Sequence, residues 1–150
     1  MPRRLIVVLT VACIACLATR SHVAEPSLLQ EAAITFVAQS HSDKLACVRV
    51  ASGPNEMEEG LVADHLVDPQ SSVLGDLRLK GIVIHAYSAC TEEERSILSY
   101  AIGWPRPTDS GFKVNVDRVC GPMCGNGFRV DVEKVPNGWR ATGAAMTWVS

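Results

Sequence analysis

The sequence predicts an α+β domain: one N-terminal helix packed on an antiparallel β-sheet that ends in a C-terminal meander. Three observations carry this. Leu28, Leu29, Ala32, Ala33, Phe36 and Val37 recur at helical spacing and make one apolar face. "FKVNVDRV" and "FRVDVEKV" each alternate strictly between apolar and polar residues, as half-buried strands do. Turn residues separate these segments: "PRPTDSG", "CGPMCGNG" and "VPNG".

The chain opens with "MPRRLIVVLTVACIACLATR", a basic start at Arg3 and Arg4 followed by an apolar run from Leu5 to Ala18. A bilayer-spanning helix needs about 20 apolar residues, and this run is shorter. Basic start, short apolar centre and small residues behind it describe a secretory signal peptide, with cleavage after Ala18. The domain plan is therefore a signal peptide at 1–18, a short linker at 19–26 and a single domain at 27–150. The expected location is exported, periplasmic or secreted. A lipid anchor at Cys16 is the alternative, although the leucine usual three residues ahead of such a cysteine is missing. Without residues 1–18, 12 basic residues stand against 16 acidic ones, a net charge of −4. The acids gather at Glu56, Glu58, Glu59, Asp64, Asp68, Asp76 and Glu92 to Glu94. No basic stripe with interleaved aromatics is present, which argues against a nucleic-acid partner.

The expected elements follow in order. The first helix starts with Pro26 just ahead of a capping-box pattern formed by Ser27 and Gln30. "LACVRVAS" alternates and predicts a strand over 45–51, followed by an acidic loop at 54–60. "DPQSSVLGDL" predicts a short helix with Asp68 as cap, Pro69 at its first position and Val73, Leu74 and Leu77 turned inward. "GIVIHAYSAC" predicts a strand over 81–87. In "TEEERSILSYAIGWP", Thr91 with Glu94 is able to open a helix, but the alternation of Leu98, Tyr100, Ile102 and Trp104 favours a strand over 96–104. In the terminal hairpin, charge selects a register. Pairing Val116 with Val130 sets Lys113 opposite Glu133 and Asp117 opposite Arg129. Pro136 and Asn137 then occupy turn centres, Gly138 a left-handed bulge position, and the last strand brings Arg140 near Glu133.

Cys47, Cys90, Cys120 and Cys124 remain after export, and four cysteines allow three disulfide pairings. Cys120 and Cys124 sit at the hairpin tip, where Gly121, Pro122, Gly125, Asn126 and Gly127 give the backbone freedom to bring them together. That favours Cys120–Cys124, with Cys47–Cys90 tying the N-terminal half. A redox pair would have Cys-x-x-Cys spacing and a helix behind it to lower a thiol pKa; here the spacing is Cys-x-x-x-Cys and a strand follows. A zinc site would have to recruit His85 or His65, and an oxidising compartment favours the disulfide. No metal and no cofactor is expected.

The histidines point to no enzyme. His41, Ser42 and Asp43 are adjacent, and adjacent residues do not build a nucleophilic triad; His41 suits the carbonyl end of the first helix. His85 with Ser88 or Tyr87 is the best hydrolase alternative, and it needs a pocket to bring acid, base and nucleophile together. No residue is assigned as catalytic.

"CGPMCGNGFRVDVEKVPNGWRATGAAMTWVS" resembles the C-terminal end of small uncharacterised bacterial exported proteins with a Cys-Gly-Pro-x-Cys-Gly hairpin, an Asn-Gly-Trp turn and a final Trp-x-Ser. The resemblance covers residues 119–150, with "CVRV" and "HAYSAC" fitting more loosely. It implies export and paired cysteines, and no chemistry. The resulting expectation is a monomeric, non-enzymatic binding module of the bacterial envelope, whose partner is an unknown protein or envelope component. A narrower form is an inhibitor of a secreted hydrolase, presenting either the acidic loop or the tip at Gly121, Pro122, Met123, Gly125 and Asn126. A small periplasmic hydrolase or thiol-redox protein is the alternative.

Overall fold

A computed structural model describes residues 25–43, 45–54 and 65–150. The expected signal peptide, most of the expected linker and nearly all of the acidic loop lie outside the described residues. No helix among those described is long and apolar enough to cross a membrane.

The chain runs α1 (Pro26–Ser40), β1 (Leu45–Ala51), β2 (Leu66–Val67), α2 (Ser71–Leu79), β3 (Val83–Ala86), a 3-10 turn (Tyr87–Ala89), α3 (Glu92–Ile97), β4 (Ser99–Ile102), β5 (Arg106–Pro107), β6 (Phe112–Val119), β7 (Gly125–Val135) and β8 (Gly138–Val149). The α+β expectation holds, with α1 packed on a mostly antiparallel sheet in the order β2-β1-β4-β6-β7-β8. Beside this path β3 pairs with β1, and β5 with β6. Leu29, Ala33, Ile34, Val37 and Ala38 of α1 meet Val114, Val116, Val130 and Val132 of the meander, while Val73 and Leu77 of α2 close the other flank. The apolar face of α1 is rotated from the expected one: Leu28 is 43 % exposed, and Ile34 and Gln30 are turned inward.

The sheet is mixed, because β1 pairs in parallel with both β3 and β4. Parallel neighbours need a crossover of a dozen residues or more. The segment between β3 and β4 supplies one, since Thr91 and Glu94 do form a capping box: Glu94 N–H donates to Thr91 Oγ1 at 3.2 Å, and Thr91 N–H to Glu94 Oε2 at 2.7 Å. The expected strand over 96–104 is therefore a helix to Ile97 followed by β4.

Two expected caps are not used. Pro26 is the first residue of α1 and Glu25 its N-cap, with no side-chain cap bond. Gln30 instead turns inward and donates to the Ala51 and Gly103 carbonyls, each at 3.1 Å. Helix α2 starts at Ser71 behind Gln70, not at Pro69, because Asp68 is engaged elsewhere, accepting the Ser88 N–H at 3.1 Å and the Ser88 hydroxyl.

The hairpin register is shifted by two residues from the charge-selected one. Val116 faces Phe128, Val114 faces Val130, Lys113 faces Asp131 and Asp117 faces Gly127. Slips of two residues keep every side chain on its face, so burial does not distinguish these registers. Exposed charge pairs contribute about 0.2–1 kcal/mol each. The closure at the tip outweighs them, since a short disulfide loop contributes about 2 kcal/mol. The turn is tight: Cys120 N–H donates to the Cys124 carbonyl at 2.8 Å. The next turn matches expectation, with Val135 opposite Gly138, Gly138 at φ 133°, and Glu133 opposite Arg140.

Candidate functional site

Both expected disulfides form, Cys47–Cys90 with Cα atoms 6.2 Å apart and Cys120–Cys124 with Cα atoms 5.0 Å apart. The register aligns them at one end of the sheet. Cys47 faces Ser99, Ser99 faces Val119, Val119 faces Gly125, and Gly125 exchanges backbone hydrogen bonds with Ser150 at 2.9 and 3.3 Å. Strands β1, β3, β4 and β7 start at this end, and β6 and β8 finish there.

This end carries most of the exposed large apolar side chains among the described residues. Leu45 and Val83 face each other at the starts of β1 and β3, and Leu79 stands at the end of α2 just before them. Ile97 closes α3, Val119 ends β6, and Val149 ends β8. Met123 caps the stapled tip with 91 % of its surface open. These seven belong to the ten exposed large hydrophobic residues among those described; Leu28, Val67 and Met146 lie elsewhere. Monomeric proteins rarely gather apolar surface in this way without a partner for it.

Of the expected tip residues, Pro122 is exposed with Met123, and Gly121 and Asn126 are half-buried. Gly125 is buried, because the Trp148 ring lies over it. A Cβ at Gly125 would meet Trp148 Cη2 and Cζ3 at 2.8 Å, and one at Gly127 would meet Trp148 Nε1 at 2.1 Å. The two glycines sit on one strand face and form a slot for the indole. Trp148 Nε1 thereby donates to Asp117 Oδ1 at 2.9 Å. Asp117 is 3 % exposed and its Oδ2 has no hydrogen-bond partner. Burial pushes its carboxyl above the ordinary range, against the pull of the Trp148 bond.

A second polar cluster locks α1 to the sheet behind the same end. Arg118 Nε and Nη2 donate to Asp43 Oδ2 and Oδ1 at 2.7 and 2.9 Å, and the Tyr100 hydroxyl donates to the same carboxylate. Burial works against the Asp43 charge, but the Arg118 and Tyr100 hydrogen bonds hold its carboxyl below the ordinary range. Tyr100 is pushed up by burial and by Asp43. His41 caps α1 as expected, its Nδ1 3.0 Å from the Val37 carbonyl oxygen and its ring edge-on to Phe128 at 5.2 Å.

The residues considered for catalysis are not assembled. The Ser88 hydroxyl is given to Asp68, and the Tyr87 ring holds Arg49 and Arg95 at 4.7 and 4.6 Å. His85 lies beside the Cys47–Cys90 bridge with Glu94. Among the described residues no three His, Cys, Asp or Glu side chains converge as a metal site. The association of Asp43 with Tyr100 and Arg118 is not legible in the sequence, because no local pattern joins them. The Gly125/Gly127 spacing ahead of a strand tryptophan was the one available signal for the Trp148 slot.

The chain matches no protein-family model, no curated protein and no solved structure.

Proposed function

We propose that this protein is an exported, non-enzymatic binding module that engages a protein partner through the apolar end of its sheet, with Met123 at the centre of the contact. The carrying observation is the gathering of exposed apolar residues around a disulfide-closed tip. Two disulfides and a C-terminus zipped to the base of the tip hold that surface in one conformation, so little entropy is lost on binding. The disulfides and the N-terminal signal pattern support an oxidising, exported location. A secreted-hydrolase inhibitor is one form of this reading, with the tip as the inserted element. The hydrolase alternative has no supporting geometry, since Ser88 is committed to Asp68.

A photo-reactive amino acid placed at Met123, in cells that export the protein, tests this directly. The control carries the same group at Asp109, which is exposed near the start of β6 at the opposite end of the sheet. One discrete adduct from position 123, lost on substituting Ile97→Asp and Val119→Asp together, is the expected result. Equal labelling from both positions, or none from position 123, refutes it.

A further inference from the structure

At the opposite end of the sheet a cleft of about 320 Å³ opens between the N-termini of α1 and α2 and the ends of β1 and β4. Its walls are mostly apolar, with Ile34, Val50, Val73 and Trp104 among them. The volume lies at the lower edge of the range that takes a small ligand. Its position also fits: β1 and β4 are parallel, and the cleft lies beyond their carboxyl ends, where open sheets with helices bind ligands.

The polar groups define what fits. Gln30 lines the cleft and is 5 % exposed. Both hydrogens of its amide are taken by the Ala51 and Gly103 carbonyls, which fixes the amide orientation. No described residue donates to Gln30 Oε1, and it is not among the fully buried unpaired side-chain atoms, so it is an open acceptor that solvent reaches and that a ligand in the cleft can use. A ligand that fills the cleft displaces water from this acceptor, and one that donates to it avoids leaving it unpaired. The charged residues lining the cleft, among those described, are Glu25 and Asp68, and none is basic. Both are carboxylates, so an anionic head group meets like charge and finds no cation among the described lining residues.

We propose that this cleft binds a small, uncharged, mostly apolar molecule carrying a hydrogen-bond donor, with the donor directed to Gln30 Oε1. The site is separate from the apolar end that carries the tip, and neither depends on the other.

Three matched probes test it on the oxidised, purified chain: 1-octanol, octyl methyl ether and octanoate, followed by amide and indole NMR shifts. The Trp104 indole signal is identified with Trp104→Phe. Octanol is expected to give saturable shifts confined to the cleft, at Ser27, Val73 and Trp104. The ether, which lacks the donor, is expected to bind about tenfold more weakly, the equivalent of one neutral hydrogen bond. Octanoate is expected to be weaker than octanol. Ser27→Trp, at the half-buried mouth, should abolish the octanol shifts while leaving the remaining spectrum in place. No saturable shift up to the solubility of octanol overturns the proposal, as does octanol binding that survives Ser27→Trp. Equal binding of ether and octanol overturns the role of Gln30, and tighter binding of octanoate overturns the charge argument.

Discussion

Replacing Gly127 with alanine tests the account of the sheet face opposite the helices. The backbone there is not in the left-handed region, so the cost of a side chain is one of contact alone. The added Cβ would lie 2.1 Å from Trp148 Nε1 and 2.2 Å from its Cδ1, distances at which the indole must move. Movement breaks the 2.9 Å hydrogen bond to Asp117, whose other carboxylate oxygen is already without a partner. Losing a hydrogen bond to a buried carboxylate costs about 1.5–3 kcal/mol, and overpacking adds about 1–3 kcal/mol. Gly127→Ala is therefore expected to destabilise by about 3–5 kcal/mol in urea unfolding of the oxidised protein, followed by far-ultraviolet circular dichroism. In a Trp148→Ala background the same substitution should cost clearly less, because the two indole contacts are gone and only that with Thr147 Oγ1 at 2.5 Å remains. Gly143→Ala is the control: its Cβ meets nothing within 4 Å, and the change should stay within about 0.5 kcal/mol. If Gly127→Ala behaves like Gly143→Ala, or costs as much without Trp148 as with it, the slot is not what seats the tryptophan.

Three further outcomes follow from the same geometry. Asp117→Asn keeps an acceptor for Trp148 and removes a desolvated charge. Because burial raises the folded pKa above the unfolded value of about 3.9, wild-type stability falls as pH rises through the raised value. The variant should be the more stable protein at neutral pH and lose that advantage in acid, and a flat difference from pH 3 to 8 would contradict this. Asp43 has the opposite sign: its folded pKa is lowered, so its contribution is present above about pH 4 and is lost as pH falls through the folded value. Asp43→Asn should cost about 3 kcal/mol at neutral pH by leaving Arg118 half-buried without its carboxylate, with the deficit shrinking in acid-unfolding curves. Removing Cys120–Cys124 with paired serines should cost about 2 kcal/mol and removing Cys47–Cys90 about 4 kcal/mol, read as shifts in urea midpoint; a reversed order would refute the loop-closure argument.

Local periodicity made α1, β1, β6, β7 and β8 legible, because helical and alternating patterns are set by residues a few positions apart. The cysteine pairing was legible for the same reason at the tip, where the staple spans four positions. Charge was a poor guide to register. Lys113 and Asp131 approach only to 4.0 Å with half-exposed side chains, too weak an attraction to compete with the turn. The capping box at Thr91 was written in the sequence, yet alternation downstream pointed to a strand; both were right, one after the other along the chain.

The sequence by itself determined that α1 is a helix, that β1, β6, β7 and β8 are strands, and that the tip is closed by neighbouring cysteines. These depend on interactions between residues close in the chain. Only the tertiary structure decided the parallel pairing of β1 with β3 and β4, the two-residue register of the hairpin, and the seating of Trp148 on Asp117 across 31 positions. It alone joined Arg118 to Asp43 across 75 positions, gathered the apolar end, and turned Gln30 toward the cleft. A two-residue slip leaves the alternation unchanged, and a polar partner far along the chain leaves no periodic trace, so such choices are made by the competing fits of whole elements.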